Sequence, residues 1–361
     1  MIDLSLFPDG GVSWLDASGP DCHLVLATRI RLARNLRGRN FATRMAPNDR
    51  TQVVTDVAEA AGQTRSLGRA VRLRIDGLDS VDRRLLLERH LISREMAGID
   101  STESADRPRA LLVQDRAAVM VNEEDHLRLQ ILVSGADLAP ALGLMEAVDA
   151  ELGQRLAFAF HPEFGYLTSC PTNVGTGLRA SVLIHLPGLV LTKEINKTLH
   201  GLTKVGLTYR GLYGEGSEVV GNFFQLSNQT TLGKSESELL EHLRRIVQHV
   251  ITVEEEARRI LLRDAPSILE DKCWRAFGLL RYARSLSFEE TMNLLSGVRL
   301  GASLGLIPNV GLYALNRLLV FTQPAHLSAA AGQELDEEQT AVRRADLVRR
   351  TLEEEVRRSS K

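Results

Sequence analysis

The chain is expected to fold as an α+β domain over residues 1–250 followed by an all-α domain over 251–361. Two observations predict this. Before about residue 235, short β-rich runs alternate with helical stretches. After it the pattern is almost wholly helical and densely charged, from ESELLEHLRRIVQHVITVEEEARRILL to the final ADLVRRTLEEEVRR. At 361 residues the chain is also long enough for two cores.

Taken in order, AVRLRI (70–75), AAVMVN (117–122), HLRLQILVSG (126–135) and LRASVLIHL (178–186) have strand composition. Helical periodicity fills roughly 48–66, 80–94, 137–153 and 188–202, with Ser80 placed to cap the second of these. No internal repeat or low-complexity linker interrupts the chain.

Composition narrows the function. Lys and Arg total 44 against 46 Asp and Glu, a net charge of -2, which does not suit bulk electrostatic binding of nucleic acid. No apolar run is long enough to span a bilayer. The opening MIDLSLFPDG lacks the basic start and apolar centre of a secretion signal, so a soluble, cytoplasmic protein with no membrane partner is expected. Cys22, Cys170 and Cys273 are too few and too far apart for a disulfide framework or a zinc site.

The stretch SCPTNVGTGLRAS (169–181) sets a cysteine, two glycines and an arginine in a run too polar for a core. Glycine lets backbone approach a ligand and arginine suggests an anion, yet no lysine is present to make the common phosphate loop. Other arginines join it. Arg29 and Arg31 are two apart, hence on one face of an extended chain. Arg179 alternates with Leu178, Ala180 and Val182 and so points away from their apolar face. Arg128 follows a run of acids, and Arg210 opens the glycine-rich RGLYGEG. Singly, each reads better as a solvated surface residue. Together, the five are consistent with a polyphosphate clamp, since the guanidinium fork matches phosphate oxygens two at a time.

VNEEDHLRLQ places Glu123, Glu124 and Asp125 at the end of a strand. Such runs are most often solvated turns, but strands close on both sides allow a rigid site here. Glu215 sits among Gly211, Gly214 and Gly216, where a mobile loop is expected. Carboxylates facing an arginine-lined site suit a reaction between a cationic group and a phosphate.

CPTNVGTGLRASVLIHLP, VNEEDHLRLQ and ATRIRLARNL resemble the signature segments of the phosphagen (guanidino) kinases, the family of creatine and arginine kinases. RGLYGEGSEVVGNFFQLSNQTTLGKSE and, in the helical part, TMNLLSGVRLGASLGLI are similar to its bacterial protein-arginine kinase (McsB-type) branch. The resemblance covers most of the chain, through several long motifs in the same order. It implies a largely antiparallel sheet flanked by helices, and phosphorylation of arginine side chains on proteins. It implies ATP and Mg2+ as cofactors, the magnesium held chiefly by ATP oxygens and water rather than by a protein metal site. It further implies marking of proteins for Clp-type proteolysis or inactivation of a stress-response repressor. The expected partners are arginine-bearing proteins, a zinc-binding activator protein, a Clp ATPase or protease, and a second copy of the chain docked through the C-terminal helices.

By the same resemblance, Arg29, Arg31, Arg128, Arg179 and Arg210 match ATP-phosphate arginines, and His90 in ERHLISRE matches a nucleotide-contacting histidine. The rest of the nucleotide pocket is expected at Ala27, Thr28 and Ile30, at Ala180, Ser181, Val182 and Leu183, and at Gly211, Leu212, Tyr213, Gly214 and Glu215. Glu124 and Glu215 match the guanidinium-binding carboxylates, with Glu123 as a supporting contact. A guanidinium is a poor nucleophile with a pKa above about 12, so a carboxylate pair must orient one nitrogen and accept its proton. Cys170 is expected beside the guanidinium, as a thiolate of lowered pKa or as a packing group. Taken without the resemblance, a lone histidine on an amphipathic helix and a small buried cysteine are ordinary structural residues.

Two departures bear on the substrate and on regulation. The small-molecule members carry an N-terminal helical domain that closes over the guanidino compound. Here the first arginine motif begins at Ala27, so no such lid is expected, and an uncovered site favours an arginine presented on a protein. The branch's Arg-Asp-x-x-Arg-Ala phosphoarginine-binding motif corresponds to Thr340-Ala341-Val342-Arg343-Arg344-Ala345, so a regulatory pocket would centre on Arg344. A kinase of free arginine and a catalytically inactive adaptor remain alternatives. The missing lid weighs against the first, and the intact arginine and glutamate set against the second.

Overall fold

The computed structural model describes residues 2–99, 107–212 and 219–359. Its strands are β1 (Val25–Arg34), β2 (Val71–Arg74), β3 (Ala110–Gln114), β4 (Ala117–Val121), β5 (Leu127–Ser134), β6 (Phe160–His161), β7 (Gly165–Tyr166), β8 (Leu178–His185), β9 (Leu207–Arg210) and β10 (Phe223–Asn228). β6 and β7 form a small hairpin. The other eight make one antiparallel sheet in the order β2-β3-β4-β5-β1-β8-β10-β9. Composition does not single out β3, β9 and β10, which complete its two flanks.

The helices are α1 (Pro47–Gly62), α2 (Ser80–Glu88), α3 (Arg94–Ala97), α4 (Leu138–Gly153), α5 (Pro187–Leu191), α6 (Ile195–Lys204), α7 (Glu236–Asp264), α8 (Pro266–Tyr282), α9 (Phe288–Ser303), α10 (Leu312–Phe321), α11 (Pro324–Ala331) and α12 (Glu337–Ser359). Among the described residues, no helix is long and apolar enough to cross a membrane.

Strand alternation gives the sheet two unlike faces. Ile30, Leu32, Val119, Leu129, Ile131, Val182 and Leu226 point to one of them and form the main core with α1, α4 and α7. Each such side chain stabilises by about 1.5–3 kcal/mol. The neighbours Arg29 and Arg31 must then lie on the other face. A one-residue slip of β1 would bury two guanidiniums in that core, so its register is strongly specified. A second core holds α8, α9, α10 and α12 together through Leu280, Met292, Leu295, Val298, Leu318 and Val348. It continues through Ala27, Leu132, Leu183 and Phe223 onto the arginine face, so the helical region packs against the sheet that carries the site.

Several elements differ from the periodicity reading. The cap of α2 is Asp79 rather than Ser80, because the Asp79 carboxylate accepts the Asp82 N–H at 2.7 Å. The same helix stops at Glu88 instead of running to 94. His90 takes a left-handed φ of 59°, and its carbonyl accepts the Gln130 side-chain amide at 2.7 Å. The stretch 188–202 is two helices, opened by Pro187 and divided near Lys193, whose φ is 63°. α7 begins in a full capping box of Ser235 and Glu238 and runs unbroken past residue 250.

Candidate active site

The sheet register assembles the arginines. Arg31 of β1 faces Arg179 of β8 on one side and Gln130 of β5 on the other. Arg29 faces Ser181 and Leu132, and Arg128 faces Ala33 and Met120. Arg210 of β9 pairs with Gln225 of β10, which lies opposite Leu183. By alternation all five arginines therefore share the face away from the main core.

Two of the five have side-chain partners among the described residues. Arg29 donates to Gln225 Oε1 at 2.6 Å, and Arg128 pairs with Glu123 at 2.5 Å. The Nε of Arg31 is buried with no hydrogen-bond partner among the described residues. Burial, followed by repulsion from Arg128 and Arg179, brings Arg29 down to about 10. Burial and repulsion from Arg29, Arg128 and Arg179 hold Arg31 well below the ordinary arginine value, against the pull of Glu123. Guanidiniums crowded this way favour an anion of several charges between them.

The acidic run is a rigid turn between β4 and β5, and its three carboxylates have separate tasks. Glu123 is buried; one oxygen holds Arg128 and the other accepts the Glu124 N–H at 2.9 Å. Burial, the largest single influence, raises its pKa, but Arg128 together with hydrogen bonds from Ser93 and the Glu124 N–H holds the carboxyl below its usual value. The same pairing raises Arg128, although burial acts against it. Asp125 accepts the Asn35 side-chain amide and the Ser169 N–H, each at 2.6 Å, and so ties the 169–170 loop to the turn. Glu124 alone is exposed. Partial desolvation by the turn, reinforced by Glu123 and Asp125, raises its pKa even though Arg128 lowers it.

Cys170 follows directly on the tied Ser169, half-buried, with its Sγ 3.0 Å from Thr172 Oγ1. At the other end of the arginine row is a narrow slot lined by Trp14, Ala27, Arg29, His90, Leu132, Ser181, Leu183, Leu212 and Gln225. His90 stands edge-on to Trp14, ring centroids 5.2 Å apart. Burial first and then Arg29 push its pKa down to about 3, so the ring is neutral at physiological pH.

The expected pocket is thus only partly assembled. Ala27, Ser181, Leu183 and Leu212 reach the slot. Thr28, Ile30, Ala180 and Val182 do not, because alternation turns them to the opposite face. Thr28 Oγ1 donates to the Gly135 carbonyl at 2.7 Å, and the other three are in the main core. Gly211 is buried at the end of β9. Tyr213, Gly214 and Glu215 lie outside the described residues. Arg344 is away from the row, on α12, where its guanidinium is committed to the carbonyls of Thr322 at 2.7 Å and Leu286 at 2.8 Å. Among the described residues, no group of three or more His, Cys, Asp or Glu is arranged to hold a metal ion. Sequence reasoning misses Gln225, the partner of Arg29, and the tether role of Asp125; neither lies in a pattern that periodicity or spacing marks.

An antiparallel sheet with an arginine row, a protruding carboxylate and a tethered cysteine loop suits a class of protein that brings a polyphosphate and a cationic group together. Residues 51–257 match the ATP:guanido phosphotransferase C-terminal catalytic domain, and residues 266–361 match the protein-arginine kinase McsB C-terminal domain. The protein-arginine kinase of Symbiobacterium thermophilum is 46% identical over 94% of this chain and 96% of its own length. That of Desulforamulus reducens is 43% identical over 94% of this chain and 95% of its own. Among solved structures, the duplicated taurocyamine kinase of Schistosoma mansoni with bound transition-state-analogue components has 26% identity and a TM-score of 0.58 over 71% of this chain. The match spans 35% of that duplicated kinase. Lombricine kinase, at 24% identity and TM-score 0.56 over 67% of this chain and 70% of its own, shares the fold. The chain belongs to the ATP:guanido phosphotransferase family, in its protein-arginine kinase branch.

Proposed function

We propose that this protein transfers the γ-phosphoryl group of ATP to arginine side chains on proteins. The observation that carries the reading is the pairing of the arginine row, with the buried Arg31 Nε unpartnered among the described residues, and the exposed Glu124 beside it. ATP, with Mg2+ on its oxygens, supplies the phosphoryl group when bound. Arg29, Arg31, Arg128, Arg179 and Arg210 neutralise the phosphates and align the γ-phosphorus with the incoming nitrogen. Glu123 keeps Arg128 in place. Glu124, with Glu215 as second carboxylate, orients the guanidinium and accepts the proton released as the N–P bond forms and the bond to the ADP oxygen breaks. Cys170 packs against or tunes the acceptor. A protein acceptor is supported by the relatives, which are protein-arginine kinases over nearly their whole length.

With this assignment go a cytoplasmic setting, a homodimer formed through the helical region, a zinc-binding activator, and delivery of marked proteins to a Clp protease. Light scattering and capture from a lysate of the source cells check these. The central test offers γ-labelled ATP with a casein-like protein and with free arginine. Label should appear on the protein, vanish on brief warming in acid and survive mild base, because a protonated P–N bond hydrolyses while phosphoserine esters do not. Acid-stable label overturns the chemistry. Preference for free arginine overturns only the acceptor, and no transfer at all supports an adaptor.

A further inference from the structure

We propose that the indole N–H of Trp14 is the donor that reads the purine base of the nucleotide, making Trp14 a specificity-determining residue. The inference rests on the reading above, in which polyphosphate lies along the arginine row.

Trp14 sits in the short 3-10 turn Ser13–Leu15, only 4% exposed. The turn is anchored from the helical region, where Asn316 donates its side-chain amide to the Leu15 carbonyl at 2.9 Å. The indole therefore stands on a fixed support. Its Nε1 is buried and has no hydrogen-bond partner among the described residues. Buried tryptophan N–H groups normally find a partner, and leaving one unmet is costly, so a ligand atom is the natural acceptor. The slot it lines has the right chemistry. Ala27, Leu132, Leu183 and Leu212 give apolar walls for a flat ring, Ser181 and Gln225 add polar groups, and Arg29 joins the slot to the phosphate row. An apolar slot with a few convergent polar groups, opening onto an anion site, fits a heteroaromatic base attached to phosphates. Trp14 also borders a second cleft with Ser13, Asp115, Arg116 and Gln130, and the test separates the two.

The variant Trp14→Phe keeps the ring and removes the N–H. Calorimetric titration should give about a five- to tenfold weaker Kd for ATP, the scale of one buried hydrogen bond, with the kinetic loss in KM rather than kcat. Tripolyphosphate, which has no base, should bind the variant and the parent equally. On the parent protein alone, one of 1-deaza-, 3-deaza- and 7-deaza-ATP should lose a similar factor, and that analogue should be indifferent to Trp14→Phe. Unchanged ATP affinity in the variant, equal loss of ATP and tripolyphosphate, or parity of all three deaza analogues with ATP on the parent overturns the proposal. In each of these outcomes the parent still binds ATP and tripolyphosphate, so the kinase reading stands. A parent that binds neither removes both.

Discussion

Replacing Glu124 by glutamine separates chemistry from architecture in the acidic turn. Glu124 is exposed and makes no ion pair among the described residues, whereas Glu123, one residue away, is buried against Arg128. Glutamine has the same shape but carries neither the charge nor the basicity. The lost function is proton acceptance and attraction of a guanidinium, so turnover should fall by roughly 10²-fold or more, the usual scale of a general base. Surface substitutions of this kind change stability by no more than about 0.5 kcal/mol, so the melting temperature should hold. ATP affinity should stay within about twofold, because the arginine row is intact. Glu123→Gln is the contrast. It leaves Arg128 without its charge partner, and breaking a buried pair costs about 3–5 kcal/mol. That variant should melt earlier and bind ATP differently. The assay is acid-labile label on protein, with thermal melts and ATP titration in parallel. Near-parent turnover in Glu124→Gln, or the same stability loss in both variants, would refute the division of labour.

Other expectations follow from the same geometry. Arg31→Ala should weaken ATP binding and turnover together, since contacts to a phosphoryl group strengthen in the transition state; unchanged values would make Arg31 a structural residue. The folded protein favours the neutral form of Glu124, so activity should fall with decreasing pH at a higher pH than a free glutamate would give. Glu95→Gln removes a nearby negative charge that also raises Glu124, so that acid limb should move down; a pH profile of kcat/KM that stays put contradicts the assignment. Arg34 is buried, donates to both oxygens of Asp149 at 2.9 and 2.8 Å and lies over the Tyr166 ring. Arg34→Ala should therefore cost about 3 kcal/mol, read as a shifted denaturant midpoint.

The sequence by itself determined the local periods and the chemistry at hand. Arg29 and Arg31 two apart, and Arg179 alternating with Leu178 and Ala180, already placed guanidiniums opposite an apolar stripe, because side chains on an extended chain must alternate. Motifs spread over most of the chain made the family legible. The same alternation, read with tertiary pairing, shows that a contiguous motif is not a contiguous contact surface: Thr28, Ile30, Ala180 and Val182 belong to the core side of the strands that carry the arginines. Only the folded sheet decided that Arg31 faces Arg179, that Gln225 holds Arg29, and that Glu123 is spent on Arg128 while Glu124 is left exposed. Those outcomes depend on register between strands distant in the chain, and no local propensity encodes such pairings. Likewise α2 ends at Glu88 because Gln130, forty residues on, meets the backbone of His90, and Trp14 reaches the slot because Asn316 anchors its turn.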